Sequence, residues 1–376
     1  MRKPIHELVP EYIHDLPVYI PGKPIEEVER ELKIQAVKLA SNENPLGPSP
    51  LAMAAVERAL GDSHRYPDGG AFLLREKLSG LHKVPPENLL IGLGSSELID
   101  LAARALLRAG LEGITSHGSF ALFRIVIRAT GANLIETPLK DYTFDLDAIA
   151  RAINADTRVI YLANPNNPTG TMFNADALDA FLAQVPDHIL VVLDEAYYDY
   201  VERTDYSRSV ARVLEGNNLL VLRTFSKVYG LAGLRLGYGI GPAPFMAEMN
   251  KLRTPFNTSN LTQAAALAAL DDHEHVRRSI RSNREGLKQL FEGLAALDIQ
   301  AIPSFTNFIL VELGTEAAPV SNELLKLGVI VRPMRWMRFP NAIRVTVGTR
   351  EENEKFLRAM EQIRASVSPS QGSSPR

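Results

Sequence analysis

Cysteine is absent from all 376 residues, which excludes disulfides, thiolate nucleophiles and cysteine-ligated zinc while leaving the redox compartment undetermined. No apolar run approaches the ~18 residues that a membrane-spanning helix requires. Basic charge is not in excess: 41 Lys and Arg face 44 Asp and Glu, a formal net charge of -3, so nucleic acid and anionic membranes are poor partners. The eight histidines are scattered without H-E-x-x-H spacing, and no metal site is expected. In the opening "MRKPIHELVPEYIHDLPVYIPGKP", Glu7, Glu11, Asp15 and several prolines interrupt the apolar core that a signal peptide needs. A soluble, cytoplasmic protein is the expectation.

What is present is an ordinary globular composition, 45% hydrophobic and 23% charged, in a chain long enough for two packed units sharing a cleft. Helical patterns over Glu26 to Leu32, Leu51 to Leu60 and Ala71 to Leu81 precede "NLLIGLGSSELIDLAARALLRAG", which reads as strand, glycine turn and amphipathic helix. Apolar runs then alternate with helices through "RVIYLANPNNPTG", "HILVVLDEAYYDYV" and "LLVLRTFSK". Strands buried on both faces between helices predict an α/β fold whose mostly parallel sheet is covered on both faces. Past a helix near Thr262, two charged helices around Glu274 to Leu297, the strands "TNFILVEL", "GVIVRPM" and "AIRVTVGT", and a last helix over Glu351 to Ser366 predict a smaller α+β domain. The expected division is a covering N-terminal segment 1–40, a large domain 41–262, a small domain 263–366 and a Ser/Pro/Gly-rich disordered tail 367–376.

Four short stretches carry chemistry. "GLGSSELI" opens a helix with Ser95 and Ser96, whose N–H groups and hydroxyls suit a phosphate at the positive end of the helix dipole; a plain N-cap is the alternative. A dinucleotide fingerprint fails, because Glu97 occupies its third glycine position. Asp194 ends an apolar strand, where a carboxylate is costly unless it meets a cation or donors, and either caps the next helix or holds a protonated ring nitrogen. In "LANPNNPTG", turn propensity accounts for Pro165 to Pro168, while Asn164 sits at the strand's terminal edge with an amide to donate. Lys227 follows a strand and is flanked by Thr224, Ser226 and Arg235; in a partly buried cleft its pKa would fall toward roughly 7 to 8, leaving a nucleophilic amine. An amine for an aldehyde, a carboxylate for a ring nitrogen, and hydroxyls with arginine for a phosphate form the set that pyridoxal 5′-phosphate needs.

With "LASNENPLGPSP", "RYPDG", "ANPNNPTG", "VLDEAY", "TFSKVYGLAGLRLGY", "NFILV" and "IRVTVGT", nearly the whole chain resembles the pyridoxal-phosphate-dependent aminotransferases of fold type I, class I/II. The resemblance implies that Lys227 bonds the cofactor and then moves a proton between the substrate's Cα and the cofactor's C4′, and that Asp194 keeps the pyridine nitrogen protonated. It implies Tyr197 and Asn164 on the ring's 3′ oxygen, Ser95, Ser96, Thr224, Ser226 and Arg235 on the phosphate, and Phe120 over the ring, with core packing as the alternative for Phe120. Tyr66 would reach the phosphate from a second subunit, making a homodimer with shared sites. Arg344, Arg332 and Tyr19 would meet the substrate, an amino donor or a 2-oxo acid. Arg335, Trp336 and Arg338 in "MRWMRFP" are unusual, either favouring a phosphorylated substrate or decorating a loop. The implied reaction is transamination between L-histidinol phosphate and 2-oxoglutarate in histidine biosynthesis, with a broad aromatic amino-acid aminotransferase as the alternative. A non-catalytic cofactor-binding sensor lacks here the basic DNA-binding portion such regulators carry.

Overall fold

The computed structural model describes residues 4–18 and 24–367, so Tyr19 and the tail from 368 onward lie outside the described residues. Seven strands build the main sheet: β1 (Leu89–Gly92), β2 (Glu112–Ser116), β3 (Asn133–Thr137), β4 (Thr157–Ala163), β5 (Leu190–Asp194), β6 (Leu219–Thr224) and β7 (Gly237–Ile240). Their order is β1-β7-β6-β5-β4-β2-β3, and only β7 runs against its neighbours. Runs such as "LVVL" and "LLVL" are buried along their whole length because helices cover both faces. The expected α/β fold with a mostly parallel sheet is therefore present.

Register sets the level at which side chains leave this sheet. Ala163 pairs with Asp194, and Asp194 with Leu222, so β4, β5 and β6 deliver their following residues at one edge. Open α/β sheets bind ligands at that carboxyl edge. Strand β7 starts there too, since Gly237 pairs with both Gly92 and Thr224.

The smaller unit carries a four-stranded antiparallel sheet of β8 (Gln300–Ile302), β9 (Phe308–Glu312), β10 (Arg332–Met334) and β11 (Phe339–Thr346), in the order β8-β9-β11-β10. Leu39 joins its core of Ile309, Val311, Val345 and Phe356, and the short strand Val37–Lys38 pairs with Val329–Ile330. The early chain thus packs on the small unit through apolar burial before "SNENP" crosses to the cavity.

Several expectations need correction. The two charged helices are one 24-residue helix, His273–Ala296, started by Asp272, whose side chain accepts from the His275 N–H. An expected boundary at 262 falls inside the helix Asn260–Ala269, whose buried Ala265, Ala266 and Ala269 belong with the large core. The run "HILVVLDEAYYDYV" is strand only to Asp194, since the Asp194 carboxylate accepts from the Ala196 N–H and turns the chain. Strands β2 and β7 escape a sequence reading, because "EGITS" lacks an apolar run and half of "GYGI" is glycine.

Candidate active site

A cavity of about 430 Å³ opens where the carboxyl edge of the main sheet meets the small unit. Its walls include Ser95, Ser96, Phe120, Asp194, Tyr197, Thr224, Ser226, Lys227, Arg235, Arg332 and Arg344, eleven of the residues singled out from sequence. Residues from 95 to 344 converge because four strand ends of the main sheet and two small-domain strands, β10 and β11, face one space.

The polar end of the cavity is built for an anion. The helix Ser95–Leu106 starts at Gly94, which offers no side-chain cap, so the first N–H groups point outward at the positive end of the helix. Gly94 has φ +75°, and a Cβ there would stand 2.8 Å from the Arg235 guanidinium. A Cβ on Gly237 would meet the Ser95 nitrogen at 2.4 Å. Two glycines therefore let Arg235 and the helix start approach each other. Behind them, the Thr224 hydroxyl accepts from the Ser226 N–H at 3.1 Å and donates to the Leu236 carbonyl at 3.2 Å, bracing the loop that carries Ser226 and Lys227.

The middle of the cavity holds the titratable pair. Asp194 is 6% exposed, and burial raises its carboxyl to about 7 against the Ala196 N–H and the Lys227 charge. Burial first, and the Arg344 guanidinium second, push the Lys227 amine down to about 8 against Glu43 and Asp194. Lys227 Nζ donates to the Asn42 carbonyl at 3.2 Å and lies 5.4 Å from the centre of the Tyr197 ring. The amine thus gives up its proton more readily than an ordinary lysine, at a fixed point of the cavity.

Asn164 does not reach the cavity. Its amide donates to the Phe173 carbonyl and its oxygen accepts from the Phe173 N–H, each at 3.0 Å, while its own carbonyl takes the Tyr206 hydroxyl. Both ends of the amide are used to fold the loop back, and that fold carries Asn167 into the cavity wall instead. Turn propensity hid Asn167, and only the direction of the loop reveals it. Phe120 lines the cavity and meets Phe123 edge-on with centroids 5.7 Å apart.

The far wall comes from the small unit. Arg344 donates from Nη1 to Asn167 Oδ1 at 2.6 Å and from Nη2 to the Ala40 carbonyl at 2.7 Å. Arg332 pairs with Arg344 across β10 and β11, and its guanidinium lies 5.4 Å from the Trp336 ring centre. Trp336, Met334 and Met337 also line the cavity. Arg335 pairs with Glu316 and Arg338 with Glu136, so of the unusual residues Arg335, Trp336 and Arg338 only Trp336 lines it. Tyr66 stands outside, 83% exposed and stacked on Phe256 at 4.7 Å.

The residues present fit pyridoxal phosphate on the structure's own terms: a glycine-lined anion cradle beside Arg235, a buried carboxylate, and an amine of lowered pKa, all around one cavity. Aminotransferase class I and II matches residues 34–360. Histidinol-phosphate aminotransferase 1 of Nitrosococcus oceani is 47% identical over 359 residues, covering 95% of this chain and 97% of that protein. Histidinol-phosphate aminotransferase 2 of Pseudomonas fluorescens is 47% identical over 356 residues, 94% of this chain and 96% of its own length. The crystal structure of histidinol-phosphate aminotransferase from Sinorhizobium meliloti in complex with pyridoxal-5′-phosphate is similar with a TM-score of 0.87 and 28% identity, over 95% of this chain and 98% of that one. The chain belongs to the aminotransferases of class I and II, enzymes that transfer amino groups with pyridoxal phosphate.

Proposed function

We propose that this enzyme exchanges an amino group between L-histidinol phosphate and 2-oxoglutarate, forming imidazole acetol phosphate and L-glutamate, in histidine biosynthesis. The observation that carries the reading is the pair Arg332 and Arg344, in register on neighbouring strands and lining the same cavity as Lys227. One arginine fork suits a carboxylate, and a second cation beside it suits a phosphate. The relatives' names support histidinol phosphate as one of the two substrates.

Pyridoxal phosphate, when bound, supplies an aldehyde for amines and a pyridinium ring that takes up the electron pair left at the substrate's Cα. Asp194 would hold the proton on the ring nitrogen. Tyr197 and, in place of Asn164, Asn167 would hold the 3′ oxygen. Gly94, Ser95, Ser96, Ser226 and Arg235 would bind the phosphate, and Phe120 would cover the ring. Lys227 removes the proton from Cα with Nζ, which the Asn42 carbonyl and the Arg344 charge keep positioned and readily neutral. Trp336, Met334 and Met337 exclude water from the substrate's side of the cavity.

The working unit in this reading is a cytoplasmic homodimer. The exposed stack of Tyr66 on Phe256, with Phe72 and Leu73 exposed nearby in sequence, supports an apolar interface there, and Tyr66 would complete the partner's phosphate cradle. Among the described residues no helix is long and apolar enough to cross a membrane.

The test compares kcat/KM for L-histidinol phosphate and L-phenylalanine. A preference of about a hundredfold or more, roughly 2.7 kcal/mol in transition-state binding, supports the assignment. Comparable values would make this a broad aromatic aminotransferase.

A further inference from the structure

Asn42 is 2% exposed and has φ +56°, a left-handed backbone that a non-glycine residue adopts at a cost and that asparagine tolerates best. Its surroundings show what is gained. The amide Nδ2 donates to the Tyr197 hydroxyl at 2.9 Å. The backbone N–H donates to Thr346 Oγ1 at 2.9 Å, and that hydroxyl donates to Asn42 Oδ1 at 3.2 Å. The carbonyl accepts from Lys227 Nζ at 3.2 Å and from the Asn307 amide at 3.0 Å. One residue thus joins Lys227 and Tyr197 to β11, the strand that carries Arg344.

We infer that Asn42 is a positioning residue that fixes the Tyr197 phenol in the cavity wall by donating to its oxygen, and that it ties this setting to the Arg344 strand. The inference rests on the proposed role of Tyr197. Nδ2 of Asn42 fills one acceptor position of the phenol oxygen, and Tyr197 lines the cavity. Thr346 stands two residues after Arg344 on β11, so both side chains leave the same face of the strand. A shift of β11 on substrate binding would act on Asn42 directly.

Only asparagine meets all the demands at once. Glycine accepts the backbone and keeps the carbonyl for Lys227 but loses the amide. Aspartate tolerates the backbone and still accepts from Thr346 but cannot donate to Tyr197. Asn42→Gly and Asn42→Asp therefore each remove the donation by different means, and either one suffices if the other fails to fold.

The experiment is a double-mutant cycle with Tyr197→Phe, read both by kcat and KM and by the affinity of the cofactor-free protein for pyridoxal phosphate. The only tryptophan, Trp336, lines the cavity and reports cofactor binding by fluorescence quenching. We expect Asn42→Gly to lower kcat and cofactor affinity by about tenfold each, the effect of one directed hydrogen bond, with KM nearly unchanged. In the Tyr197→Phe background the same change should cost less than about twofold, because coupled residues do not add. Equal losses in both backgrounds, or an Asn42→Asp enzyme matching the parent, would overturn the inference and leave Tyr197's role standing. Full activity in Tyr197→Phe alone would sink that role and the inference with it.

Discussion

Arg344 and Asn167 meet across the two halves of the molecule, Nη1 donating to Oδ1 at 2.6 Å. The small-domain residue that would grip a substrate anion is therefore in contact with the loop amide that would hold the cofactor. An anion binding Arg344 would compete with Asn167 for the guanidinium. Asn167→Ala should lower kcat/KM by about tenfold, with most of the change in cofactor affinity.

Asn164→Ala should behave oppositely. Its amide pairs twice with the Phe173 backbone in a buried place, and removal leaves that N–H and C=O without it. The expected loss is about 1–3 kcal/mol of stability, seen in urea unfolding, with cofactor affinity retained. If Asn164→Ala instead lost the cofactor with unchanged stability, the exchange of roles with Asn167 would be wrong.

Lys227→Ala should abolish transamination and leave a protein that releases pyridoxal phosphate on gel filtration. Asp194→Asn should still bind the cofactor yet turn over about a hundredfold or more slowly, since an amide cannot hold the ring proton by charge. Normal turnover of the lysine variant would remove the mechanism, and an unchanged rate for Asp194→Asn would leave that carboxylate as a turn cap.

The pH dependence follows from the lowered lysine. Capture of pyridoxal phosphate by the cofactor-free protein needs a neutral amine, so its rate should rise with pH through about 8 rather than near the 10.5 of an ordinary lysine. Arg344 is the second cause of the shift after burial, and Arg344→Leu should move the midpoint upward, because losing a nearby cation favours the charged form. Folded Lys227 binds fewer protons than the unfolded chain between those values, so stability gains from this group as pH rises across that window. Stopped-flow mixing at several pH values gives the midpoint, and one near 10.5 in both proteins would contradict the shift.

Gly94→Ala probes the anion cradle. The added methyl meets the Arg235 guanidinium and the backbone must hold φ +75° with a Cβ present, a strain of about 1–2 kcal/mol. Quenching of Trp336 should then require about tenfold more pyridoxal phosphate, whereas unaltered affinity would place the phosphate elsewhere.

Much of this protein follows from residue order alone. Apolar strands alternating with helices specify the covered parallel sheet, because strands with no polar face must be buried on both sides. Asp194 and Lys227 were legible for the same reason: a charge directly after a buried run stands at a strand end, where it needs a partner. What order could not express is direction. Asn164 and Asn167 are equal in a turn-forming string, and the folded loop alone sends the first to the Phe173 backbone and the second to the cavity. Asn42 and Thr346 are 304 positions apart, and their contact exists only because β11 passes beside the crossing segment. Local propensity acts over a few residues, whereas the meeting of side chains from two domains is decided by packing across the whole molecule.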